Sequence, residues 1–123
     1  MTQCANQAMA ASRGDGIQVL PAPGELDLAT AGRLAARGCA AVAHTRLLLL
    51  DLSGLSFCDA RGLSAFVQIA NHADRAGCRY GLVAPQPRVA RVLQICRLDQ
   101  RLPMFATVDD ALAHLTAGAC ASA

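Results

Sequence analysis

Four consecutive leucines, Leu47 to Leu50, with Leu52 just beyond them, constrain this chain more than any other stretch. A strand with one wet face alternates apolar and polar residues, whereas an unbroken apolar run of this length is the pattern of a central strand covered on both faces. Asp51 interrupts the run far short of the roughly 20 apolar residues that cross a bilayer, so it is not a membrane span. Amphipathic patterns flank it on both sides. Upstream, Ala31, Leu34, Ala35, Cys39 and Val42 follow the three-four spacing of one helical face, which predicts a helix from about Leu28 to Ala43 capped by Asp27. Downstream, Ser53-Gly54 reads as a turn and Leu55-Ser56-Phe57 leads to Asp59. Leu63, Phe66, Val67, Ala70 and Ala73 then line a second helix that Gly77 ends.

The rest of the chain extends this alternation. Ile17-Gln18-Val19-Leu20 predicts a short strand, but Pro21 and Pro23 remove backbone donors, so any continuation toward Glu25 must lie at an edge or bend. Tyr80 to Val83 is a strand and Pro85-Gln86-Pro87 a rigid connector. Val89, Val92, Leu93 and Cys96 line a third helix, Met104-Phe105 forms a final short strand, and Val108, Ala111, Leu112 and Leu115 line a last helix. The expected fold class is α/β: a mixed β-sheet of four to five strands packed with about four helices. With 123 residues, one core is expected, over residues 17–117, between a loose tail at 1–16 with room for a short edge strand and a tail at 118–123.

Several function classes are disfavoured by what the chain lacks. Its net charge of +2 comes from scattered arginines, without lysine, and its aromatic content is 3%; neither a basic patch nor stacking platforms for nucleic acid follow. The six cysteines stand far apart with no C-x-x-C pair, which argues against zinc knuckles and redox motifs. Met1 to Ser12 shows no secretory pattern, so a cytoplasmic protein with reduced thiols is expected. Catalytic groups do not converge: Glu25 is the single glutamate, and His44, His72 and His114 are widely separated without ligand spacing, so no metal is expected. Gly14-Asp15-Gly16 precedes a strand instead of following one, and no phosphate-loop pattern occurs, so no cofactor is expected. Cys58 beside Asp59 at a helix start is the best nucleophile candidate, but no base accompanies it, and packing as a small hydrophobe is the simpler role. No enzymatic activity is expected.

What remains is the turn Phe57-Cys58-Asp59-Ala60-Arg61-Gly62-Leu63, where a strand feeds a helix whose free amides make a natural anion or partner site. Taken with Gly24-Glu25-Leu26-Asp27, the segment Leu49 to Leu63, Ala76 to Val83 and Arg91-Val92-Leu93 through Leu98, this turn resembles a STAS domain of the anti-sigma factor antagonist type. The resemblance covers about Ile17 to Leu115. It implies a regulatory module whose docking surface holds Asp27, Asp59, Ala60, Arg61 and Gly62. The implied partner is an anti-sigma factor with a serine-kinase ATPase fold, whose capture frees a sigma factor. In that family a serine or threonine directly after the aspartate is phosphorylated, which adds nearly two negative charges and blocks docking. Here that position is Ala60, followed by Arg61, so neither residue can carry the switch. Either the chain is held in its docking-competent form, or it is a non-switching STAS module that senses a small ligand or serves as a subunit of a signalling or lipid-transport assembly. Ser56, Ser64 and Thr30 are nearby hydroxyls; Ser64 lies one turn into the helix and Ser56 precedes Phe57 in a strand, so structural roles are expected for those two. Arg97 stands where the family often has glycine; a left-handed backbone there costs a non-glycine residue about 1–2 kcal/mol, so a different helix ending is expected.

Overall fold

A computed structural model describes residues 16–122 of the chain. The leucine run forms the strand β3 (Leu47–Asp51), and all four leucines are buried. Alternate side chains go to opposite faces. Leu48 and Leu50 enter the larger core, and Leu47 and Leu49 a smaller one. β3 pairs on one side with β1 (Ile17–Pro21) and on the other with β5 (Arg79–Val83), which in turn pairs with β6 (Met104–Phe105). The order β1-β3-β5-β6 puts the leucine run inside the sheet, as its continuity predicts. Every ladder among the described residues is parallel, so the mixed sheet expected resolves there into parallel pairings only. Parallel neighbours need crossovers, and helices supply them.

Three crossover helices cover the face of Leu48 and Leu50: α1 (Leu28–Val42), α2 (Ala60–Ala76) and α3 (Pro87–Ile95). A 3-10 turn at Leu98–Gln100 follows α3. The last helix, α4 (Val108–Ser122), covers the opposite face through Ala111, Leu112 and Leu115. α4 runs through most of the stretch 118–123 expected as a tail, and the loose segment and edge strand expected before Gly16 lie outside the described residues. The layering is therefore helices, sheet, and one returning helix.

Close approach of α1 to α2 depends on small residues. Ala31, Ala35 and Ala65 form their own buried cluster, and a β-carbon on Gly38 would lie 2.5 Å from Ile69 Cδ1. Tyr80, buried on β5, donates its hydroxyl to the Phe66 carbonyl at 3.2 Å, so its polar end is satisfied inside the core. Helix α3 ends with Arg97 in the left-handed region, at φ 61° and ψ 23°. The different ending expected is not adopted: the glycine geometry is kept with an arginine in it, at a cost of about 1–2 kcal/mol.

Candidate functional site

Residues Glu25–Leu26 and Phe57–Cys58 form no ladder with the main sheet, where the pairing of β1 with β3 ends at Pro21 and one further bond from the Ala22 amide to the Asp51 carbonyl; Pro23, beyond it, has no N–H to extend that ladder. They pair with each other instead, as β2 and β4, in parallel register: Glu25 with Phe57 and Leu26 with Cys58. The next residue on each strand is a helix cap. Asp27 accepts the Ala29 and Thr30 amides at 3.1 and 3.2 Å, and its own amide donates to Thr30 Oγ1 at 3.0 Å, a reciprocal capping box. Asp59 accepts the Arg61 and Gly62 amides at 2.9 and 3.3 Å, and its amide donates to the Leu26 carbonyl at 3.2 Å. The two-stranded ladder thus sets the N-termini of α1 and α2 side by side, which neither segment could do alone.

The hydrogen bonds of the box leave their mark on Asp27. The Thr30 amide and hydroxyl hold its carboxyl below the usual aspartate value, as favourable donors to the charged form. Ala60 and Arg61 are exposed, and Asp27 and Asp59 half-buried. Gly62 differs from its expected place on the docking surface: it is buried, and a β-carbon there would lie 2.6 Å from Cys58 Sγ and 2.7 Å from the Leu26 β-carbon. It seats α2 on the ladder from beneath. Arg61 points to solvent and has no ion-pair partner among the described residues.

Two residues of this ridge were not foreseen. Leu28, the first residue of α1, is 68% exposed, and Phe57, on β4, is 52% exposed. Leu28 directly follows the Asp27 cap and Phe57 stands two residues before the Asp59 cap, and large apolar side chains left in water on such a rim mark contact surfaces. The signal in the sequence was strand alternation: with Leu26 and Cys58 inward, their neighbours Glu25 and Phe57 must both point out.

The surroundings of Cys58 disfavour its thiolate. Burial, with the neighbouring Asp59 charge, pushes its thiol up to about 11, and its Sγ donates to the Asp59 carbonyl at 3.5 Å. The helix terminus loses to desolvation here. Ser56 is engaged structurally, its amide and hydroxyl both reaching the Gly24 carbonyl at 2.8 and 3.1 Å. Gln86, after β5, donates to the Ser53 carbonyl at 2.9 Å and ties the two strand-end loops together. The three histidines are exposed, and His114 packs its ring against Phe105. Among the described residues no three histidine, cysteine or acidic side chains gather where a metal could bind. No helix among them is long and apolar enough to cross a membrane.

Comparison with known proteins places this geometry. The sequence profile described as "STAS domain" matches residues 8–111. A Mycobacterium tuberculosis protein with a provisional anti-anti-sigma factor name is 38% identical over 89 residues, 70% of this chain, and the match spans 58% of that relative's length. An anti-sigma-F factor antagonist of the same species is 30% identical over 105 residues, 85% of each chain. The crystal structure of an anti-sigma factor antagonist from Mycobacterium paratuberculosis superposes with a TM-score of 0.75 at 30% identity, over 85% of this chain and 89% of that one. A parallel sheet with capped helix ends on its own small ladder, matched in sequence and in shape to such relatives, leaves one assignment: the chain belongs to the STAS domain family of anti-sigma factor antagonists.

Proposed function

We propose that the chain is a non-enzymatic docking module, a STAS unit over residues 17–117, that binds an anti-sigma factor of serine-kinase ATPase fold and so releases a sigma factor without a phosphorylation switch. The carrying observation is Ala60, exposed at the first position of α2 on the same ridge as Leu28, Phe57 and the two aspartate caps. Apolar side chains at the centre of a contact with a charged rim are the usual anatomy of a protein interface, and Leu28 and Phe57 with Asp27, Asp59 and Arg61 supply both parts. The names of the related antagonists support the same partner class.

A phosphate at position 60 would place about two negative charges beside the Asp59 carboxylate and oppose docking by repulsion and desolvation. The Ala60 methyl offers no atom for that transfer, so the ridge keeps one charge state. Output is then set by how much of the chain the cell makes. A cytoplasmic location follows from such a partner.

The test is capture of a serine-kinase-fold anti-sigma factor from the same organism by the purified chain, with ATP present, followed by intact-mass measurement. A complex with unchanged mass of this chain is the expected result, and Ala60→Ser should gain one phosphate and release the partner. Phosphate on Ser56 or Ser64 of the unaltered chain defeats the claim of a lost switch. Recovery of a transporter or signalling subunit in place of the anti-sigma factor would assign the chain to the non-switching class instead.

A further inference from the structure

The face of α1 beyond the capping box walls a separate cleft. Thr30, Arg33, Leu34 and Arg37 recur at the spacing that puts them on one side of the helix, and the bend after β1 brings Pro21 and Pro23 against them, leaving a half-enclosed space of about 280 Å³. Arg33 is exposed and Arg37 half-buried.

The chemistry of the walls is one-sided. Helix α1 contains no acidic residue, and among the described residues neither the Arg33 nor the Arg37 side chain makes an ion pair or a hydrogen bond. Two like charges one turn apart repel, and nothing on their own helix offsets them. The opposite wall offers no free donor: Pro21 and Pro23 have no N–H, and the amide of Ala22 between them donates to the Asp51 carbonyl at 2.9 Å. The Thr30 hydroxyl already serves the Glu25 carbonyl at 2.7 Å and the Asp27 amide. The cleft is therefore lined by two arginines without a side-chain partner among the described residues, together with Pro21, Pro23 and Leu34. A guanidinium fork matches the paired oxygens of a carboxylate or phosphate. The space is smaller than most drug-sized pockets, which suits a compact ligand.

We infer that the cleft between Pro21-Pro23 and the Arg33-Arg37 face of α1 binds a small organic anion: a phosphomonoester or carboxylate carried on a short hydrocarbon chain. The site is independent of the docking ridge in its charged residues, and its test does not involve an anti-sigma factor.

The experiment is titration of the full chain with hexyl phosphate, hexanoate, inorganic phosphate and hexanol, read by calorimetry and by amide chemical shifts. Saturable single-site binding of either alkyl anion is expected, with shifts concentrated at Thr30, Arg33, Leu34 and Arg37. Inorganic phosphate and hexanol should bind at least about tenfold more weakly, since each lacks half of the recognition. Preference between hexyl phosphate and hexanoate identifies the headgroup. Arg33→Gln with Arg37→Gln should lower affinity about tenfold or more while keeping helix propensity. Should that double variant not fold, the shift map of the unaltered chain decides. The proposal is overturned by no saturable binding up to about 10 mM, a few kcal/mol at best, by shifts that map elsewhere, by hexanol or inorganic phosphate matching the alkyl anions, or by affinity unchanged in a folded double variant.

Discussion

Gly62 and Leu26 meet so closely that a β-carbon added to the glycine would stand 2.7 Å from the leucine's own. The first turn of α2 rests on β2 through this contact, and the side-by-side helix caps depend on it. Gly62→Ala must push α2 off the ladder. Overpacking of this kind costs about 1–3 kcal/mol, and alanine's helix advantage of at most about 1 kcal/mol offsets part of it. A net loss of about 1–2 kcal/mol in urea unfolding is expected, with weakened partner binding. An unchanged midpoint would show that the ladder gives way without strain.

Arg97 offers the opposite case. With its backbone at φ 61°, relief of the left-handed strain is worth about 1–2 kcal/mol, less the extra freedom glycine brings to the unfolded chain, about 0.5–1 kcal/mol. Arg97→Gly should stabilise the fold by about 0.5–1 kcal/mol, seen as a higher urea midpoint at unchanged slope.

The Asp27 box makes stability depend on acid. Because its carboxyl is held below the ordinary 3.8 in the fold, the unfolded chain binds its proton first, and stability rises with pH across that range. The contribution is complete above 3.8 and fades as pH falls through the lower folded value. Unfolding midpoints of the unaltered chain and of Asp27→Asn, compared at neutral pH and below 3.8, should show a smaller acid-induced drop in the variant.

Thiol reactivity separates the cysteines by environment. Cys96 is exposed, whereas Cys58 is half-buried with its thiol pushed up to about 11. Brief iodoacetamide treatment at neutral pH, mapped by peptide mass, should label Cys96 well before Cys58. Selective labelling of Cys58 would revive the nucleophile.

Leu28 and Phe57 carry the apolar part of the proposed contact. Leu28 is largely in water and Phe57 only about half so; Leu28→Ser should therefore change the unfolding free energy by no more than about 0.5 kcal/mol, and Phe57→Ser should cost about 1 kcal/mol for the buried half of its ring. Each should weaken anti-sigma factor binding by about 1–3 kcal/mol, measured by calorimetry. Full affinity in both variants would move the docking surface elsewhere.

Local pattern was enough for much of this molecule. The leucine run, the Asp27 and Asp59 caps and the Gly77 stop are decided by near neighbours, so each could be read in order along the chain and met again as β3, α1 and α2. The absent hydroxyl at Ala60 is likewise a fact of sequence alone. Gly38 at the α1–α2 contact and the burial of Gly62 were not legible, because both depend on Ile69, Leu26 and Cys58 arriving from elsewhere.

Periodicity, capping chemistry and side-chain inventory, then, determined which segments are helix or strand and that an alanine, without a hydroxyl, follows Asp59. The tertiary structure decided that β2 and β4 leave the main sheet to pair with each other, that Leu28 and Phe57 stay in water, and that Arg33 and Arg37 face a cleft. The reason is that hydrogen-bonding preference and amphipathic spacing act over a few residues, whereas exposure and proximity are set by the register of strands distant in the chain.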